Sequence, residues 1–215
     1  MRGMVDPPGT GARQIRYVAA IVALAAIWLA MLLLGGGSLD RAIYEHLYVG
    51  GHPALVVLAR VLTAFGEPTV LIGAGAICAI WLWYRGHRHL PWVLLAITFS
   101  GRALSEAQKY WIARGRPDIE THLVVVKTSS FPSGHATSSM IFYLVIALTL
   151  TANSRWHRLA AGAALLMSFL IGLSRVMLGV HWPSDVIGGW AFGMLWVLLT
   201  LRLAKRSLET DRPIR

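Results

Sequence analysis

The sequence predicts an all-α protein: a six-transmembrane-helix bundle with short interfacial helices between spans one and two. Three observations predict it. Charged residues make up 14% of the 215 and hydrophobic ones 56%, whereas a soluble domain carries about 25% charged residues. Residues 15–34 carry no charge after Arg16, and roughly twenty such residues are needed to cross a bilayer core. Five further apolar segments follow, separated by short polar connections.

The first span, Ile15–Leu34, is too long for the core of a secretory leader, and no convincing small-residue cleavage site follows it, so it reads as a permanent span. Leu39–Val49 mixes Leu39, Ile43 and Leu47 with Asp40, Arg41 and Glu45, and Pro53–Phe65 is apolar apart from Arg60 and Thr63. Each is too short to span and reads as an interfacial or partly buried helix. The later spans are Thr69–Tyr84, Pro91–Trp111, His135–Leu150, Leu159–Val176 and Val186–Leu203. Residues 1–14 and 207–215 read as tails, and 15–206 as one membrane domain. Gly73 and Gly75 suggest close helix packing. The single cysteine, Cys78, lies in an apolar run and reads as core. His87 and His89 flank Arg88 in a short loop and read as loop surface rather than metal ligands.

The formal net charge is +10. In a soluble chain this would suggest nucleic acid; among spans it reads as membrane-flanking charge, so no nucleic-acid partner is expected. With the N-terminus inside, the inner segments hold twelve lysines and arginines and the outer ones seven: Arg41, Arg60, Lys109, Arg114, Arg116, Lys127 and Arg175. The imbalance predicts both termini on the cytoplasmic side. Arg102 falls within the third span, four residues before Glu106, which predicts an ion pair facing the bundle.

Three clusters carry the chemistry. Lys109 and Arg116 lie seven apart, two helical turns on one face, and Pro117 biases Arg116 out of the helix. Alone, such cations are usually snorkelling residues at a span end. Pro132-Ser133-Gly134-His135 opens the fourth span. There Ser133 and Gly134 would present backbone N–H groups at a helix N-terminus, or Ser133 would be an ordinary cap. Ser174-Arg175 closes the fifth span, and His181 precedes Asp185 by four residues, close enough for the carboxylate to accept a hydrogen bond from one imidazole nitrogen. On the six-span topology all these points fall on one side of the membrane. Three cations, two histidines, a carboxylate and a helix N-terminus then converge on one outer pocket.

Lys109-x6-Arg116-Pro117, Pro132-Ser133-Gly134-His135 and Ser174-Arg175-x5-His181-x3-Asp185 resemble the three-part signature of the type 2 phosphatidic acid phosphatase superfamily, with no departure at any of eleven positions. The resemblance implies metal-independent hydrolysis of phosphate or pyrophosphate from a membrane lipid, with no cofactor. It implies that Lys109, Arg116 and Arg175 hold phosphate and that Ser133 and Gly134 assist. His135 would be the general acid, and His181 the nucleophile, oriented by Asp185 and forming a phosphohistidine. Such roles suit phosphoryl transfer, where catalysis is mostly positioning and electrostatics.

The partners expected are the bilayer and a lipid phosphate: a polyprenyl pyrophosphate, phosphatidic acid or phosphatidylglycerol phosphate. Short loops favour the first, and residues 39–65 are expected to guide its tail. The expected location is a bacterial inner membrane with the site facing outside. A lipid phosphotransferase of the same family, a vanadium-dependent haloperoxidase and a non-enzymatic membrane protein are the competing readings. The spans argue against the second, and the complete catalytic set against the third. The oligomeric state is not fixed by the sequence.

Overall fold

The computed structural model describes residues 10–152 and 154–210. These form eight helices: α1 (Thr10–Leu34), α2 (Ser38–Leu47), α3 (Pro53–Ala64), α4 (Pro68–Tyr84), α5 (Leu90–Ile112), α6 (Gly134–Leu150), α7 (His157–Met177) and α8 (Pro183–Thr210). No strand occurs among the described residues. Helix α1 starts five residues before the expected Ile15, and α8 continues past the expected boundary at 206. Residues 1–9 and 211–215, most of the expected tails, lie outside the described residues.

Prolines set four helix starts: Pro53, Pro68 and Pro91 stand in the first turns of α3, α4 and α5, and Pro183 opens α8. A missing N–H is harmless there and the fixed φ favours the helix. Helix α6 packs on α5, α7 and α8, and α1 packs along α8. Leu94, Ile97, Ile141, Leu144, Val145 and Val197 form the main buried cluster, with Cys78 half-buried against it. In lipid, helices gain little by hiding apolar surface, so close approach matters more. A Cβ on Gly189 of α8 would lie 3.0 Å from the Ser133 carbonyl and 3.0 Å from Thr137 Oγ1. Gly189 therefore brings α8 against the start of α6, where two signature motifs meet. Of the glycines expected to pack closely, Gly75 faces Phe142 at 3.3 Å, but Gly73 faces open space.

The surface remains apolar: Ile15, Val22, Leu33, Ile77 and Leu166 are each more than half exposed, as expected of lipid-facing helices in an integral membrane protein. By length and composition α1, α7 and α8 can cross a membrane alone. Helix α3 and helix α4, bent by 43° at their junction, qualify together as a fourth span. Six separate spans are thus met only in part. Helix α6 has 17 residues, and α5 carries Arg102, Glu106 and Lys109 in its second half. The expected interfacial pieces differ from each other. Helix α2 buries Asp40 and Tyr44 beside the start of α8, while α3 packs on α7 and leads into α4.

Candidate active site

Helices α5 and α7 end, and α6 and α8 begin, around one cavity of about 270 Å³. Lys109, Arg116, Gly134, His135, Arg175 and His181 all line it, and Ser133 and Asp185 lie fully buried behind it. The structure therefore brings together the eight candidate site residues of the three motifs. The polarity of the helices suits an anion. Lys109 and Arg175 stand at C-terminal ends, where cations complement the helix dipole, and Gly134 opens an N-terminal end, which attracts negative charge.

The three cations are held from behind. Lys109 Nζ donates to Thr128 Oγ1 and to the Ser129 carbonyl, both at 3.2 Å. Arg116 Nε donates to the Thr128 carbonyl at 2.8 Å, and its Nη1 to the Val180 carbonyl. Arg175 Nη1 donates to Thr63 Oγ1 at 2.8 Å, while its buried Nε has no partner. A buried guanidinium N–H left unpaired is costly, and an anion in the cavity is the natural acceptor.

His181 is 2% exposed. Arg116 Nη1 lies 3.2 Å from His181 Nε2, and since arginine only donates, Nε2 must be the bare nitrogen and Nδ1 the protonated one. Burial, then the charges of Arg116, Arg175 and Lys109, push the His181 imidazolium well below the ordinary histidine value. The ring is therefore neutral at physiological pH, with its lone pair on the cavity side.

Behind His181 the geometry is less direct than the i, i+4 spacing suggested. Nδ1 and Asp185 Oδ2 are 3.5 Å apart, beyond a good hydrogen bond. Ser130 bridges them: its Oγ lies 3.4 Å from Nδ1 and donates to Asp185 Oδ2. Asp185 also accepts from the Trp182 N–H at 2.9 Å and from Arg114 Nη1 at 2.8 Å. Ser133 differs from expectation too. Its N–H donates to the Asp185 carbonyl at 3.0 Å, tying α6 to α8, and its buried hydroxyl has no partner. Gly134 is left to offer the open helix terminus.

Three residues at the site were not read from the sequence. Arg114 pairs with Asp185, donates to the Met31 and Leu32 carbonyls at the end of α1, and lies 4.4 Å over the Phe131 ring. Its backbone is placed by Ala113, which takes a left-handed φ of 50° at the end of α5. Arg114 is the cation in direct contact with the Asp185 carboxylate. The only advance signal for Arg114 is its position two residues before Arg116. Ser130 sits in the Ser129-Ser130 pair ahead of the second motif. Glu67, at the break between α3 and α4, places Oε1 3.2 Å from His135 Nε2. An acidic residue beside Pro68 at a span start was the signal there.

A second cavity, of about 340 Å³ and almost wholly apolar, lies between α4, α5 and α6, bounded by Leu71, Gly75, Ile80, Leu95, Phe99 and Phe142 among others. Pro68 and Arg102 line both cavities. The apolar space beside the polar site is therefore built by α4–α6, not by residues 39–65.

Comparison with known proteins gives one consistent answer. The family model of the PAP2 superfamily matches residues 90–209. Phosphatidylglycerophosphatase B of Bacillus subtilis is 31% identical over 75% of this chain and 81% of its own. Lipid A 1-phosphatase of Rhizobium johnstonii is 30% identical over 89% and 82%. The crystal structure of a transmembrane PAP2-type phosphatidylglycerolphosphate phosphatase from Bacillus subtilis superposes with a TM-score of 0.80 at 28% identity, covering 91% of this chain and 99% of that one.

Proposed function

The chain belongs to the PAP2 superfamily and is a phosphatase, and on that premise we propose that it hydrolyses a lipid phosphate or diphosphate through a phosphohistidine on His181. The observation that carries this reading is the cavity itself: buried Lys109 and Arg175, half-buried Arg116, an Arg175 N–H without a partner among the described residues, and the bare Nε2 of His181 face one space. In the first step Nε2 attacks phosphorus in line. The N–P bond forms as the bond to the leaving oxygen breaks, and His135 gives that oxygen a proton. In the second step water attacks the phosphohistidine, His135 takes the water's proton, and inorganic phosphate leaves with His181 neutral again. Lys109, Arg116 and Arg175 hold the charge on the phosphoryl oxygens, with the Gly134 helix terminus assisting and Ser133 tying that terminus to α8. Asp185 and Ser130 keep the proton on Nδ1. The donor set is cationic, so no metal or other cofactor is needed for charge neutralisation.

The apolar cavity adjoining the site supports a lipid substrate, since it offers a long tail a place beside the reacting phosphate. We further read residues 15–206 as the phosphatase domain and the topology as six spans in a bacterial inner membrane, with both termini cytoplasmic and the site outside. A cysteine at position 122, with Cys78→Ser, would react with an impermeant reagent from outside; reaction of a cysteine at position 87 instead would invert the topology. The mechanism is tested by quenching in alkaline detergent during turnover. Wild type should carry phosphate in an acid-labile, base-stable bond, and His181→Ala should neither turn over nor label. Turnover by His181→Ala would refute it.

A further inference from the structure

Among the described residues Arg102 is the one cation that lines both the phosphate cavity and the apolar cavity. It lies two helical turns before Lys109 on the same face of α5. Its partner is weakly held: Arg102 Nη2 and Glu106 Oε1 are 3.9 Å apart, at 35% and 43% side-chain exposure. That is an ion contact, too long for a hydrogen bond. Glu106 in turn reaches the phosphate cradle. A Cβ on Gly134 would lie 3.7 Å from Glu106 Oε1 and 3.7 Å from Lys109 Nζ. Arg102, Glu106 and Lys109 therefore run in a line from the apolar cavity to the start of α6. One turn along α6, Ser138 lines the apolar cavity, and its hydroxyl has no hydrogen-bond partner.

An arginine at the mouth of an apolar cavity is costly unless an anion meets it there. A lipid monophosphate in the cradle would place its apolar tail directly against Arg102 and leave the arginine with Glu106 alone. A lipid diphosphate would place its terminal phosphate in the cradle and its inner phosphate at the junction. Building on the reading of His181 as nucleophile, we propose that Arg102, assisted by Ser138, is a specificity-determining residue that binds the inner phosphate of a diphosphate ester of a long apolar alcohol. Attack on the terminal phosphorus breaks the anhydride bond. The bridging oxygen leaves on the lipid monophosphate, with the His135 proton, while Arg102 holds that product's charge. The Glu106 carboxylate, which sits between Arg102 and Lys109, gives way to the inner phosphate as the counter-charge of Arg102.

The test compares farnesyl diphosphate with farnesyl monophosphate, which share one tail, using the full chain in detergent and measuring released phosphate. Wild type should favour the diphosphate. Arg102→Gln should lower kcat/KM for the diphosphate by about 10- to 100-fold, the range for losing one hydrogen bond between charged groups. Its kcat/KM for the monophosphate should change by no more than about threefold; that substrate also reports whether the variant is folded. Arg102→Lys should recover part of the diphosphate rate as a point charge. Equal losses on both substrates, or no loss on either, with an active wild type, would overturn the assignment of Arg102 alone. A wild type that releases phosphate from neither would overturn the phosphatase reading, and this subsite with it.

Discussion

The site contains two histidine–carboxylate pairs built to opposite standards. His181 and Asp185 are 2% and 0% exposed, and Asp185 is held by Arg114, Ser130 and the Trp182 N–H. His135 and Glu67 are 16% and 46% exposed, joined by one 3.2 Å contact at a bend between two helices. The difference follows from what each histidine is proposed to do. A nucleophile must keep its bare nitrogen aimed at phosphorus through both steps, which calls for a fixed tautomer and a rigid mount. A general acid must lose a proton and regain one from water in every cycle, which calls for access. Glu67 gives His135 a direction without sealing it.

The comparison can be broken from its rigid side first. Arg114→Met would leave Asp185 buried without its counter-charge, at a cost of about 3 to 5 kcal/mol in stability, with turnover falling at least about 100-fold as His181 loses its fixed orientation. Adding Asp185→Asn should restore much of the thermal stability and none of the activity. If activity returned with stability, Arg114 would serve folding alone. On the open side, Glu67→Gln should lower kcat only about two- to fivefold, as expected for a solvent-screened pair. A loss as large as that of Arg114→Met would show that the two pairs are equally essential. The smallest effect is one of pH. Burial and three cations depress the His181 pKa, so the neutral nucleophile persists below the ordinary value of 6.5. The acid limb of kcat/KM, corrected for titration of the substrate phosphate, should fall below that value. A limb above it would mean that His181 is protonated in the resting enzyme.

The rigid pair was partly legible in the sequence and the open pair was not. His181 and Asp185 share one turn of chain, and Lys109 and Arg116 share a helix face, so local spacing announces them. Arg114 owes its role to contacts with α1 and α8, 82 and 71 residues away. Among the arginines of the outer segments only its place two residues before Arg116 marks it. Ser130 was invisible for a related reason: spacing alone placed Asp185 directly on His181, and only the packed loop interposes a hydroxyl. Glu67 and His135 are 68 residues apart and meet because α3 and α4 bend where Pro68 starts a new helix. Segment order and approximate spans were readable from hydropathy. By length and composition the six spans are met only in part, because α5 carries Arg102, Glu106 and Lys109 in its second half and α6 has 17 residues.

Arg114 also bears on how the protein is assembled. It binds the last carbonyls of α1 and the first carboxylate of α8, so it joins the helix that enters the bilayer first to one that follows the other seven in chain order. Until α8 docks, the Arg114 guanidinium lacks its carboxylate partner and Asp185 is not in place behind His181. The ion pair of Arg114 with Asp185 thus closes the bundle between α1 and α8, and the mount proposed for His181 is complete only when both helices are in place.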